Sequence, residues 1–249
     1  MPGERIGLAK ALLDLARSTL KSVWSDMATG DYRWVILKSW RAAKEALLSL
    51  SYSGAAEVHV DDDLSGLYAM LYPSCPPIRW SDIALLDYAK TLVEDLGLYM
   101  IFYSAEPGPR RRDGIQSLEA SVRIVESVVQ CIKEPSTGSG PAAGISFPLD
   151  ALRRKVSTFS GERVTVVRSG RRLYIITAEM PEDIVGRIEL AKKIETPPGF
   201  QVLPLTAEEA YSYVNLPWIV LEDVEVVRDD LGLGQFFELR STSQGGSFF

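Results

Sequence analysis

Gly30-Asp31-Tyr32-Arg33-Trp34-Val35-Ile36-Leu37-Lys38-Ser39-Trp40-Arg41-Ala42-Ala43-Lys44-Glu45-Ala46-Leu47-Leu48-Ser49-Leu50 opens on a turn and continues at helical period. Ile36, Trp40, Ala43, Leu47 and Leu50 recur every three or four residues, while Lys38, Arg41, Lys44 and Glu45 fall mostly on the other faces. This is the pattern of an amphipathic helix with a strong start signal. Trp34 and Trp40 are expected to pack, because aromatics at helical spacing fill cores more often than they stack on bases.

The same period extends to both sides. Residues 4–28 predict a helix with Leu12, Ala16, Leu20, Val23 and Met27 inward. Asp62 or Asp63 is placed to cap a short helix carrying Leu64, Leu67 and Leu71. Pro73, Pro76 and Pro77 break the chain, and Ser81 or Asp82 then caps a helix through Ile83, Leu86, Ala89, Leu92 and Leu96. A last helix is expected over 115–133, with Leu118, Val122, Val125, Val129 and Ile132 inward. Helices of this length joined by short loops pack as an antiparallel bundle.

Residues 135–144 are rich in Gly, Ser and Pro without periodicity and read as a flexible linker. It separates a helical segment, 1–134, from a mixed α/β segment, 145–240, and a Ser/Gly-rich tail, 241–249. In the α/β segment, Leu149–Thr158 reads as a helix. Arg163–Val167 and Leu173–Thr177 read as the strands of a hairpin. A helix over 181–194 has Pro181 in its first turn and Ile184, Ile188, Ala191 and Ile194 inside. Gln201–Leu205 is a strand, and Thr206 with Glu209 fits a capping box opening the next helix. Residues 218–227 suggest a short helix and then a strand. The fold class is therefore α+β.

Charge narrows the partners. The net charge is −6, and each half of the chain holds three more acidic than basic residues. A general nucleic-acid coat needs phosphate neutralisation by Lys and Arg, so only local basic patches remain. No apolar run approaches the roughly 20 residues of a membrane helix, and the N-terminal apolar residues are interrupted by Lys10, Asp14, Arg17 and Lys21. No membrane association and a cytoplasmic location are expected. Cys75 and Cys131 show no metal-ligand spacing, and two buried thiols are expected in preference to a disulfide.

Three stretches of the first half resemble the HEPN family of small helical bundles, the usual companions of nucleotidyltransferases. Gly30–Leu50 is similar to a family helix that begins Gly-Asp-Tyr. Val58–Leu67 is similar to its His-Asp-Leu element, and Leu98–Ser104 to its element of paired tyrosines. The second half resembles a degenerate minimal nucleotidyltransferase in Arg187–Leu190, Val202–Glu209 and Ile219–Asp230. The resemblance implies a fusion of two partners that meet elsewhere as separate, toxin–antitoxin-like chains. It also implies a homodimer through the helical bundle.

The family chemistry does not carry over. Nucleotidyltransferases of this type need a Gly-Ser phosphate turn, a helix, and an aspartate pair that binds metal. Here the turn reads Arg168-Ser169-Gly170-Arg171, and Leu173–Thr177 has no carboxylate. HEPN ribonucleases resemble one another in an Arg followed four to six residues on by His, a titratable side chain for acid–base work. The only His is His59, and the nearest upstream Arg is Arg41. His59 reads as structural, Asp61-Asp62-Asp63 as a capping turn, and Ser169 lacks a His partner.

Two arginine groups remain as nucleotide or phosphate ligands: Arg110, Arg111 and Arg112, and Arg168, Arg171 and Arg172. Adjacent guanidinium groups grip phosphate by charge and paired hydrogen bonds. The expectation is a non-catalytic binding or regulatory protein for a nucleotide or RNA, with no cofactor and no metal. The alternative is an active nucleotide- or RNA-processing enzyme with a non-standard site, in which Tyr99 or Tyr103 is the catalytic or modified group.

Overall fold

Helices α1 (Pro2–Thr29) and α2 (Tyr32–Leu50) fold back on each other across Gly30-Asp31. Gly30 takes the left-handed region, φ 76°, which glycine enters without a Cβ penalty. Asp31 caps α2 by accepting from the Trp34 backbone N–H at 3.4 Å. The computed structural model describes residues 2–55, 63–94, 110–133, 149–159, 161–194, 196, 199–216 and 219–244. Those residues form two compact units, one of 2–94 with 110–133 and one beginning at 149.

In the first unit α2 continues through a π-turn, Ser51–Ala55. Then come α3 (Leu64–Leu71), a 3-10 turn (Tyr72–Ser74), α4 (Trp80–Glu94) and α5 (Arg111–Lys133). The α1–α2 seam is narrow. Ala9, Ala16 and Val23 of α1, seven residues apart, are buried, as are Ala42, Ala43 and Ala46 of α2, and Val23 packs with Val35 of α2 and Leu118 of α5. Polar bonds set its antiparallel register: Lys38 to Asp26 at 2.7 Å, Thr19 Oγ1 to Glu45 Oε2 at 2.8 Å, and Ser49 Oγ to the Ala9 carbonyl at 2.7 Å.

Helices α4 and α5 are also antiparallel. Arg123 meets Asp82, and Ser127 Oγ donates to the Pro77 carbonyl. Between α2 and α5 the direction is the same. Gly114 lies against Tyr32 and Val35, and Ser121 Oγ reaches the Ser39 carbonyl at 2.7 Å. A Cβ on Gly114 would meet both neighbours at 3.2 Å. Gly114, Ser117, Ala120 and Ser121 thus set a close, parallel α2–α5 contact within an otherwise up-and-down arrangement.

Several expectations change here. Cys75 and Cys131 form a disulfide rather than two thiols. They are 56 residues apart in sequence, but α4 and α5 bring the turn after α3 beside the last turns of α5. The buried face of α5 is rotated toward its small residues, so Val122, Val129 and Ile132 are half-buried. The helix begins four residues earlier than expected, because Asp113 accepts from the Arg110 backbone N–H at 3.0 Å and caps that turn. Asp82 lies within α4 and binds arginine instead of capping it. Trp34 is 53% exposed, not packed, whereas Glu45 is only 6% exposed. Glu45 is buried because Thr19 and Arg41 supply its hydrogen bonds, without which a buried carboxylate is costly.

The second unit comprises α6 (Leu149–Thr158), β1 (Val164–Ser169), β2 (Arg172–Thr177), α7 (Ile184–Lys192), β3 (Gln201–Thr206), α8 (Ala207–Val214), β4 (Glu225–Asp229) and α9 (Gly234–Gln244). The sheet order is β3-β2-β1-β4. The expected hairpin is present as β1–β2, β4 is antiparallel to β1, and β3 is parallel to β2. A parallel neighbour requires a crossover, which α7 provides. Consecutive residues Leu173–Thr177 are all buried, so both faces of β2 are covered. Tyr174 packs against Phe237 at 5.3 Å and Tyr213 at 6.2 Å between ring centroids.

Local chemistry explains the remaining differences. Asp183, not Pro181, starts α7, its carboxylate accepting from Gly186 N at 2.9 Å. Residues 219–224 contain no helix. The helix α9 runs to Gln244, past the point where a tail was expected. Its start is held by Asp229, which accepts from Leu233 N and Gly234 N at 2.8 and 3.0 Å.

Candidate functional site

Arg110 precedes α5, and Arg111 and Arg112 form its first turn. Arg111 and Arg112 are exposed, whereas Asp113, 1% exposed, turns inward to cap the helix. Backbone N–H groups at a helix start carry a net positive field. Two exposed guanidinium groups therefore stand where the helix itself already repels cations.

The hairpin arginines are disposed differently. Register pairs Arg168 with Leu173 and Ser169 with Arg172, so Arg168 and Arg172 point to opposite faces of the sheet. Arg168 Nε lies 3.5 Å from Glu225, which also binds Arg153 of α6, and Arg168 Nη1 donates to the Gly170 carbonyl at 3.4 Å. Gly170, φ 55°, and Arg171 form the turn itself. No helix stands between β1 and β2, where the nucleotidyltransferase pattern has one. Ser169 Oγ donates to the Glu222 carbonyl at 3.0 Å and accepts from its N–H at 2.9 Å. That hydroxyl ties the turn to residue 222. His59, Asp61, Asp62, Tyr99 and Tyr103 lie outside the described residues.

Two buried clusters around charged side chains go beyond the motifs, although the Thr206–Glu209 cap in one of them is legible in its spacing. In the second unit Arg187 Nη1 and Nη2 meet Glu209 Oε2 and Oε1 at 2.8 and 2.9 Å. Arg187 Nε donates to the Pro181 carbonyl at 2.7 Å, and Glu209 Oε2 accepts from Thr206 N at 2.7 Å. The signal for Arg187 was its place at helical spacing among Ile184, Ile188 and Ala191, an arginine on an apolar face.

In the first unit Asp87 is 1% exposed. It accepts from Trp40 Nε1 at 2.8 Å, Ser65 Oγ at 2.6 Å, Ser65 N at 2.8 Å and Leu64 N at 3.3 Å. It joins α2, α3 and α4 at the start of α3, beside the Asp63 cap, whose carboxylate accepts from Gly66 N at 2.7 Å. Burial, with the nearby Asp63 charge, pushes the Asp87 carboxyl up to about 6 against the lowering effect of its hydrogen bonds. Trp40 is half-buried, with Lys90 Nζ 4.6 Å and Lys44 Nζ 5.3 Å from its ring centroid, within cation–π range.

Among the described residues no three His, Cys, Asp or Glu side chains are grouped to hold a metal. No described helix is long and apolar enough to cross a membrane. These features define an α+β protein of one helical unit and one mixed-sheet unit, in which the buried charges serve helix ends and neighbouring chains of hydrogen bonds. No family model, curated protein or solved structure matches the chain.

Proposed function

We propose that the chain is a non-catalytic binding or regulatory protein that holds the phosphate of a nucleotide or RNA at the start of α5, in the lineage of a fused HEPN–nucleotidyltransferase pair. The observation that carries the reading is the exposure of Arg111 and Arg112 on the first turn of α5. A cation there opposes the helix dipole by about 0.3–1 kcal/mol. A bound phosphate reverses that sign, meeting both the guanidinium groups and the positive helix end. The hairpin group is the weaker candidate, because Arg168 is engaged by Glu225 and faces away from Arg172.

The absence of turnover rests on chemistry. The single His has no arginine at the nuclease spacing, and the strand after the hairpin turn carries no carboxylate. Thermal unfolding of the full chain with inorganic phosphate, ATP and a short RNA, with and without magnesium, tests the reading. Stabilisation follows occupancy. A rise in melting temperature that needs no magnesium and disappears in Arg111→Ala/Arg112→Ala supports it. No rise with any of the three ligands contradicts it.

A further inference from the structure

Helix α2 packs on the α1–α5 pair at Val35, against Val23 and Leu118. The same pair forms a groove of about 620 Å³ that no described residue of α2 lines. Arg17 and Leu20 are its α1 wall, and Val122, Val125 and Val129 are its apolar floor on α5. Glu126 and Lys133 also stand among its lining residues. The helical period extends the α1 wall past the groove. Ile6, Leu13, Leu20 and Trp24 fall at i, i+7, i+14 and i+18, one face of a 3.6-residue helix. Ile6 is 67% and Trp24 64% exposed. A row of cations runs beside that stripe: Lys10, Arg17 and Lys21, at i, i+7 and i+11, all exposed.

We infer that this groove seats an amphipathic helix of a partner protein, its apolar stripe on the valines and its acidic residues against Lys10, Arg17 and Lys21. Shape and charge each narrow the occupant. Two helices side by side leave a crease that a third fills by ridge packing, and α2 already fills one crease of the α1–α5 pair. A flat bilayer surface meets the walls of a concave groove before it reaches the valine floor. Charge then sets the sign. Asp14 lies 3.6 Å from Arg17 and Glu126 lines the groove, yet Lys10, Lys21 and Lys133 leave cations in excess. That excess stands in a chain of net charge −6. A second copy would bring a face of the same sign against this one, a contact that complementary interfaces avoid.

The stripe from Ile6 to Trp24 rises about 27 Å, the length of a helix of about five turns. At a helix width of about 10 Å, the contact stays well below the roughly 800 Å² per partner of a standard interface. The complex is therefore of the weak, transient class. Recognition is of the helix-in-groove mode, read through anchors at i, i+4 and i+7. Trp24 is the large side chain that closes one end of the stripe over the partner, and tryptophan is among the residues that dominate interface energies. Neither Arg111 nor Arg112 takes part, so the partner helix and the phosphate reading stand or fall separately.

Fluorescence anisotropy of a labelled peptide, titrated with the full chain, tests it. The probe is a helix-forming peptide of about 18 residues with Leu at i, i+4, i+7 and i+11 and Glu on the flanks. Saturable binding at about 10–100 µM is expected, weakening as salt rises. Replacing each Glu of the peptide by Lys, or Arg17→Glu/Lys21→Glu in the chain, weakens it at least about tenfold. Trp24→Ala weakens it about as much through lost packing. Trp34→Ala, which removes an exposed indole on α2, leaves it unchanged. Far-ultraviolet circular dichroism confirms that each variant is folded. No binding of the acidic peptide up to about 1 mM overturns the inference, and so does equal binding of the lysine peptide. A chain that ignores the peptide but binds phosphatidylglycerol vesicles, or dimerises through Trp24, also overturns it and assigns the face to a membrane or a second copy.

Discussion

Arg187 and Glu209, 22 residues apart, meet through two parallel hydrogen bonds of 2.8 and 2.9 Å inside the second unit. Neither side chain is spent on that contact alone. Glu209 also closes the capping box of α8 with Thr206, and Arg187 also binds the Pro181 carbonyl before α7. One ion pair thereby links the entry to α7, the end of β3 and the start of α8.

Breaking this pair leaves the other charge buried. Glu209→Ala is expected to destabilise the second unit by about 3–5 kcal/mol, more than an exposed ion pair allows. Glu189→Ala, whose side chain is 55% exposed beside Lys192, is the reference. Guanidinium unfolding followed by circular dichroism measures both. Equal midpoints for the two variants contradict the role given to Glu209.

Reduction of Cys75–Cys131 releases a 56-residue separation in the unfolded chain. The chain-entropy model gives a loss of about 4 kcal/mol for a loop of that length. Unfolding of the first unit with and without dithiothreitol, and of Cys75→Ser/Cys131→Ser, checks this. The double variant is expected to match the reduced protein and to ignore the reductant.

The Asp87 carboxyl titrates at about 6 when folded, mainly through burial, and at 3.8 as a free side chain. Between those values the folded form holds a proton that the unfolded form has lost. Its contribution to stability is therefore present below about pH 4, falls as pH rises toward 6, and is flat above. The size is about 3 kcal/mol at most, from 1.36 kcal/mol per pH unit. Urea midpoints from pH 4 to 7 are expected to show this decline, and Asp87→Asn to remove it. Asn carries one acceptor where the carboxylate serves four donors, so the variant is also less stable throughout.

Ser39 Oγ and Ser117 Oγ are buried in the close α2–α5 contact without a hydrogen-bond partner among the described residues. Ser117→Ala removes an unpaired hydroxyl and improves helix propensity. A gain of about 1 kcal/mol is expected in thermal unfolding. A loss would show that the hydroxyl is bonded in solution.

Periodicity made much of this architecture legible. The spacing in Gly30–Leu50 gave α2, the Thr206–Glu209 spacing gave the cap of α8, and the expected cap at Asp62 or Asp63 gave the start of α3, where Asp63 is the residue that caps. What escaped was set by distant partners. Glu45 sits near the polar edge of α2, and only Thr19 of α1 makes its burial tolerable. Val122 and Val129 looked like core residues of α5, yet its inner face is chosen by Gly114, Ser117 and Ser121, which let α2 approach. The Cys75–Cys131 bond depends on the antiparallel run of α4 and α5. The candidate arginines were all visible in the sequence. Their geometry was not, because strand register decides that Arg168 and Arg172 face apart.

The central claim is that Arg111 and Arg112 hold a phosphate without turning it over. Isothermal titration of the full chain with ATP, followed by chromatography of the recovered nucleotide, tests it most directly. The account predicts saturable binding that weakens at higher salt, is lost in Arg111→Ala/Arg112→Ala but kept in Arg171→Ala/Arg172→Ala, and returns intact ATP. Binding that survives loss of Arg111 and Arg112, or turnover that survives repurification, contradicts it.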